Sequence, residues 1–82
     1  MWQSFQSDVE RSAWIQAHAD YWSIIWFRGE GSPGHYDRAE EPTLDEARGL
    51  ARWALTQDPS SRLVLYAVSG VQSCYVETIK GE

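Results

Sequence analysis

Eighty-two residues, of which 43% are hydrophobic and 23% charged, describe one ordinary globular domain and exclude a disordered chain. A formal net charge of -5, from seven Lys plus Arg against twelve Asp plus Glu, argues against a general nucleic-acid binder, whose affinity rests on phosphate attraction. It suits the reverse, an acidic surface docking on a basic protein groove.

In chain order, Met1 to Gln6 offers Trp2 and Phe5 as its only anchors. Ser7-Asp8-Val9-Glu10 has the form of a capping box and predicts a helix from about Asp8 to His18. Its stripe is Val9, Ala13, Trp14 and Ala17, which is thin, and Ile15 falls off it. Next comes Tyr21 to Arg28, YWSIIWFR, the densest apolar run of the chain, inside a strand predicted from about Asp20 to Arg28. At period two, Trp22, Ile24 and Trp26 face one way and Tyr21, Ile25 and Phe27 the other, so both faces need a cover. Gly29 to Gly34 then breaks the strand as a hairpin loop. It lacks the following helix or Lys-Ser/Thr ending with which a glycine-rich loop holds phosphate. His35 to Glu40 reads as a short return strand with Tyr36 and Arg38 on one face, its charge marking a sheet edge.

Thr43 as N-cap, with Glu46 three residues on, starts a helix predicted from Leu44 to about Gln57, before Asp58-Pro59. Leu44, Ala47, Leu50, Ala51, Ala54 and Leu55 share one face, and Trp53 lies off it on the side expected to meet solvent. Arg62 to Ser69 is again apolar on both faces, and Gly70 turns the chain into a last strand, Val71 to Ile79. Alternation there puts Val71, Tyr75 and Ile79 on one face and Cys74 and Val76 on the other.

The expected fold is therefore α+β in a single domain, 1–82: a four-stranded antiparallel sheet of two hairpins, helix 44–57 packed on one face, and an N-terminal helix at about 8–18. The second face is to be covered by the N-terminal segment, through Trp2, Phe5, Val9 and Trp14, or by a second copy of the chain; otherwise it is an apolar patch of the kind that marks an interaction site. Five Trp and four Tyr supply either a core or such a surface. A lone cysteine, Cys74, fits a reducing compartment. With no basic start followed by an apolar core, and no run near 18 apolar residues, the expectation is a cytoplasmic protein without a signal peptide or membrane span.

No spacing of His18, His35, Cys74 and the carboxylates matches a metal-ligand pattern, so neither metal nor cofactor is expected. Cys74 with a histidine, and Asp37 as orienting acid, would make a nucleophile, base and acid, but nothing places them together, and Cys74 reads as a small buried residue. An enzyme is not expected. The acids say more: Asp37, Glu40, Glu41, Asp45 and Glu46 put five of twelve within ten residues. A helix N-terminus explains Asp45 and Glu46. It does not require Asp37, Glu40 and Glu41, which suit a patch that mimics nucleic-acid phosphates or pairs with Arg and Lys of a partner. Trp53 joins this candidate partner-binding set, with Gly49 one turn before it leaving bare helix surface.

In size, one-sheet layout and the acidic cluster from Asp37 to Glu46, the chain resembles the small phage-encoded inhibitors of bacterial defence, particularly anti-CRISPR proteins. The resemblance is one of type, spans the whole chain loosely and rests on no shared motif. It implies a stoichiometric inhibitor that occupies a basic DNA-binding groove of a CRISPR surveillance complex without binding nucleic acid itself. Two other readings stand beside it: a structural or regulatory homodimer burying the second sheet face, and a small-ligand-binding domain using its aromatic surface.

Overall fold

Both predicted caps start helices. In the structure, a computed structural model that describes residues 7–28 and 36–81, the Ser7 hydroxyl accepts from the Glu10 N–H at 3.1 Å and opens α1 (Asp8–Ala17). The Thr43 hydroxyl does the same for Glu46, also at 3.1 Å, and opens α2 (Leu44–Gln57). Between and after them lie β1 (Tyr21–Phe27), β2 (Tyr36–Glu41), β3 (Arg62–Ser69) and β4 (Gln72–Lys80). The four strands form one antiparallel sheet in the order β2-β1-β3-β4, so the two hairpins join through their first strands and β2 and β4 are the edges. The expected α+β class holds, with strand limits shifted by about one residue. The glycine-rich loop, Trp2, Phe5 and His35 lie outside the described residues.

Register decides which side chains share a face. On one face Trp22 stands beside Ala67, Ile24 beside Leu65 and Trp26 beside Leu63. Ala39 on β2 and Cys74 and Ile79 on β4 continue those rows. Here α2 lays down Ala47, Ala51 and Ala54, all fully buried at helical spacing. Small residues on the helix and large ones on the sheet let the two layers approach closely. Ile24, Leu63 and Leu65 are at most 1% exposed, and each contributes about 1.5–3 kcal/mol by leaving water.

The N-terminal helix departs from expectation twice. Its buried residue is Ile15, at 0% exposure; of the predicted stripe only Trp14 packs, partly buried, against the core, while Val9 is 81% exposed and Ala13 and Ala17 also face outward. More consequentially, α1 packs over β3 and β4 on the same face as α2: Ile15 joins the α2 core, the Cys74 thiol donates to the Ser12 carbonyl at 3.7 Å, and Arg11 donates to the Ser73 carbonyl at 3.3 Å. The physical reason lies in the sheet. Ala67 and Cys74 are small and leave room beside Trp22, and Ile15, the largest aliphatic side chain of α1, packs into the cluster they form. Neither helix therefore covers the face that carries Tyr21, Ile25 and Phe27.

Simple alternation also fails in β4. Leu65 lies opposite Glu77 but Tyr66 lies opposite Tyr75, leaving Val76 as an extra residue, a β-bulge. Tyr75 and Ile79 accordingly point to opposite faces rather than the same one. At the β3–β4 turn Gly70 adopts φ 60°, which a side chain would strain, and its N–H donates to the Asp20 carboxylate at 2.8 Å. That bond ties the turn to the start of β1. Among the described residues no helix is long and apolar enough to cross a membrane.

Candidate functional site

All but one of the expected partner-binding residues fall along one side of the molecule, where the edge strand β2 runs beside α2, but they form two groups. Asp45 and Glu46 occupy the exposed first turn of α2, and Glu41 ends β2 just before it. Glu40 is exposed on the same strand but points to the opposite face, beside Ser23. None of these four is in an ion pair with a described residue. Asp37 stands apart at the other end of β2, about 14 Å along the strand from Glu41. Its carboxylate accepts from Arg28 Nε at 2.6 Å, so its charge is already matched.

Trp53 belongs with Asp37 rather than with the other acids. Its ring meets the Trp26 ring edge-on, centroids 6.1 Å apart at 77°, and it remains 52% exposed. The expectation that it lies off the α2 core face is correct; its anchor is Trp26. That indole is held from several directions: its N–H donates to the buried Ser61 hydroxyl at 2.8 Å, and the Arg28 guanidinium lies 3.9 Å from its ring centroid. Between the two groups runs a cleft of about 140 Å³, floored by Ile24, Trp26 and Leu63 and walled by Ala39 and Leu50. Gly49 opens onto free space, since a Cβ there would meet nothing within 4 Å.

The second candidate surface, the open sheet face, could not be assembled from sequence alone. Across the strands its first row reads Tyr36, Phe27, Arg62, Lys80; its second Arg38, Ile25, Val64, Thr78; its third Glu40, Ser23, Tyr66, Tyr75. Tyr21, Val68 and Ser73 complete it, and toward this end Ser23 and Val68 are buried, so the accessible part of the face is its first two rows and the Tyr75 edge. Tyr36 and Tyr75 are more than half exposed, and a shallow depression of about 210 Å³ lies among Ser23, Ile25, Arg38 and Tyr66. The signal that would have found this face was the alternation of Tyr21, Ile25 and Phe27. What concealed its cations was the unknown strand order.

Of the catalytic arrangement considered for Cys74, the described residues Cys74 and Asp37 are not brought together, and His35 lies outside the described residues. Cys74 is on the β4 edge, in register with Trp22, and Asp37 on the β2 edge, opposite Trp26; three strand spacings across and four residues along separate them by roughly 19 Å, and Cys74 is buried under α1. His18 stacks on Trp14, centroids 4.3 Å apart, with its Nδ1 2.9 Å from the Trp14 carbonyl oxygen. Among the described residues no group of three or more His, Cys, Asp and Glu gathers to hold a metal ion. Comparisons with family models, with curated proteins and with solved structures each returned no match.

Proposed function

We propose that the chain is a small non-catalytic protein-binding module, a stoichiometric inhibitor that docks its α2–β2 side on a basic groove of a partner. The observation that carries this reading is the layout of that side: Glu41, Asp45 and Glu46, in no ion pair with a described residue, at one end, the half-exposed Trp53 on its Trp26 support at the other, and an apolar cleft between. Acids on a rim steer a basic partner and set the on-rate, while a large aromatic ring anchors the complex and sets the off-rate. Glu40, on the far side of the same edge strand, adds to the steering field. Asp37 contributes through its Arg28 pair, which keeps the end near Trp53 close to neutral.

The groove proposed is one built for DNA, as in a CRISPR surveillance complex of the cytoplasm, following the resemblance to anti-CRISPR inhibitors. Binding of the purified chain to such a complex, followed by surface plasmon resonance, tests it. Trp53→Ala is expected to speed dissociation at least tenfold, and neutralising Glu40, Glu41, Asp45 and Glu46 together to slow association and flatten its salt dependence. Unchanged affinity after all four are neutralised would sink the charge mechanism. Circular dichroism controls for the loss of Asp45 and Glu46 from the helix start, worth about 0.3–1 kcal/mol each.

A further inference from the structure

The net charge of -5 is unevenly placed. Three of the seven basic side chains, Arg38, Arg62 and Lys80, stand on the open face of the sheet, and the only acid in its rows is Glu40. The other described acids lie on the helical side or in the turns. Two ring pairs share the open face with these cations. Phe27 and Tyr36 lie 5.9 Å apart at one end, and Tyr66 and Tyr75 lie 6.2 Å apart toward the diagonal corner. The Arg62 guanidinium already rests over the Phe27 ring, 4.6 Å from its centroid, so the cation and ring present one surface.

We propose that this face binds single-stranded nucleic acid, with Tyr36 and Tyr75 stacking on bases and Arg38, Arg62 and Lys80 taking up phosphates. Stacking on rings across an open, positively charged surface is tolerant of sequence, and needs bases that are not already paired. A second copy of the chain fits less well, because face-to-face contact would bring three cations of each copy together with a single acid apiece. A duplex offers no free base to the rings. The acidic helical side caps the affinity, and weak, salt-sensitive binding follows. The inference is independent of the docking proposed for the α2–β2 side: neutralising Glu41, Asp45 and Glu46 leaves it standing, and its failure leaves that docking untouched.

The test is fluorescence anisotropy of the full chain against labelled 15-nucleotide dT and rU strands, with a duplex of the same length, in low salt. Expected are binding of at least one single strand in preference to duplex, and a loss of about tenfold for Tyr36→Ala and for Tyr75→Ala. For three phosphate contacts the log–log salt slope should be about -2, falling in magnitude by somewhat under 1 for Lys80→Ala. A preference between dT and rU identifies which nucleic acid is taken and supports the proposal in either case. Both tyrosines are more than half exposed, so the variants keep the core, which circular dichroism verifies. The proposal is overturned by no binding at about 100 μM chain, by equal binding of duplex that ignores both tyrosines, by a strand affinity no greater than that for a poly-Glu peptide, or by sedimentation showing a dimer that Tyr75→Lys dissolves.

Discussion

Tyr21 and Trp22 are adjacent in sequence, yet they stand on surfaces with opposite tasks. Trp22 and its face-mates Ile24, Leu63 and Leu65 are sealed beneath two helices, whereas on the alternate face Ser23 and Val68 are buried but Ile25, Val64 and Tyr66 are only half-buried. Both faces are hydrophobic, so composition alone does not set them apart. The difference lies in what stands above them. A face that meets alanines at close range is a core, and a face that meets rings and cations at its corners, with no described helix over it, is a surface for something else.

The largest expected effect separates the two faces at neighbouring positions. Leu65→Ala should cost about 2–5 kcal/mol, much of the roughly 5–15 kcal/mol that holds a domain folded, because it empties a fully buried site. Val64→Ala, one residue away on the open face, should cost about 1 kcal/mol or less. Urea denaturation of both variants measures the contrast, and equal losses would mean that something covers the open face as fully as the helices cover the other. Next in size, Ile15→Ala should cost about 2 kcal/mol and Val9→Ala no more than about 0.5 kcal/mol, which checks the side of the sheet on which α1 rests. Gly49→Ala should stabilise by about 0.5–1 kcal/mol, because the added methyl meets open space inside a helix. The same change gives a local probe of the proposed docking side, where a methyl at a contact point would weaken partner binding while raising the melting temperature.

The smallest effect lies off both faces, in the turn before β3. The Asp58 carboxylate accepts from the Ser60 hydroxyl at 2.6 Å and from the Ser60 N–H at 3.1 Å, and these bonds, the hydroxyl first, hold its pKa below the usual value. A depressed folded pKa stabilises above the unfolded carboxylate pKa, and that contribution fades as pH falls through the folded one. Ser60→Ala should therefore lower the urea midpoint slightly at pH 6, and the gap from the parent should narrow as the pH drops below about 4.

Much of the fold was legible in the sequence because its signals are local. Ser7 with Glu10 and Thr43 with Glu46 mark both helix starts, and the alternation in YWSIIWFR separates the faces of β1 correctly. What was not legible depends on contacts distant in sequence. Counting apolar residues on α1 favours Val9, Ala13, Trp14 and Ala17, but the helix rests over the small Ala67 and Cys74 of the sheet, where Ile15 is buried and, of the counted four, only Trp14 packs against the core. The candidate site divides in the same way. Asp45 and Glu46 are readable from their cap, whereas the grouping of Asp37 with Arg28 and of Trp53 with Trp26 requires the β1–β2 register and the seat of α2. The basic character of the open face required the strand order, because Arg38, Arg62 and Lys80 come from three separate strands.

One small irregularity governs how that face is composed. Tyr75 and Lys80 are five positions apart, an odd interval that in an uninterrupted strand would send them to opposite sides. They share a side because Val76 takes no partner, which shifts the phase of β4 halfway along its length. The same shift returns Ile79 to the side of Cys74, so core and surface are both completed by it. β4 is thus a splice of two half-strands in opposite phase, and the residue at the join serves twice, resetting the phase with its backbone and packing its own side chain against the core.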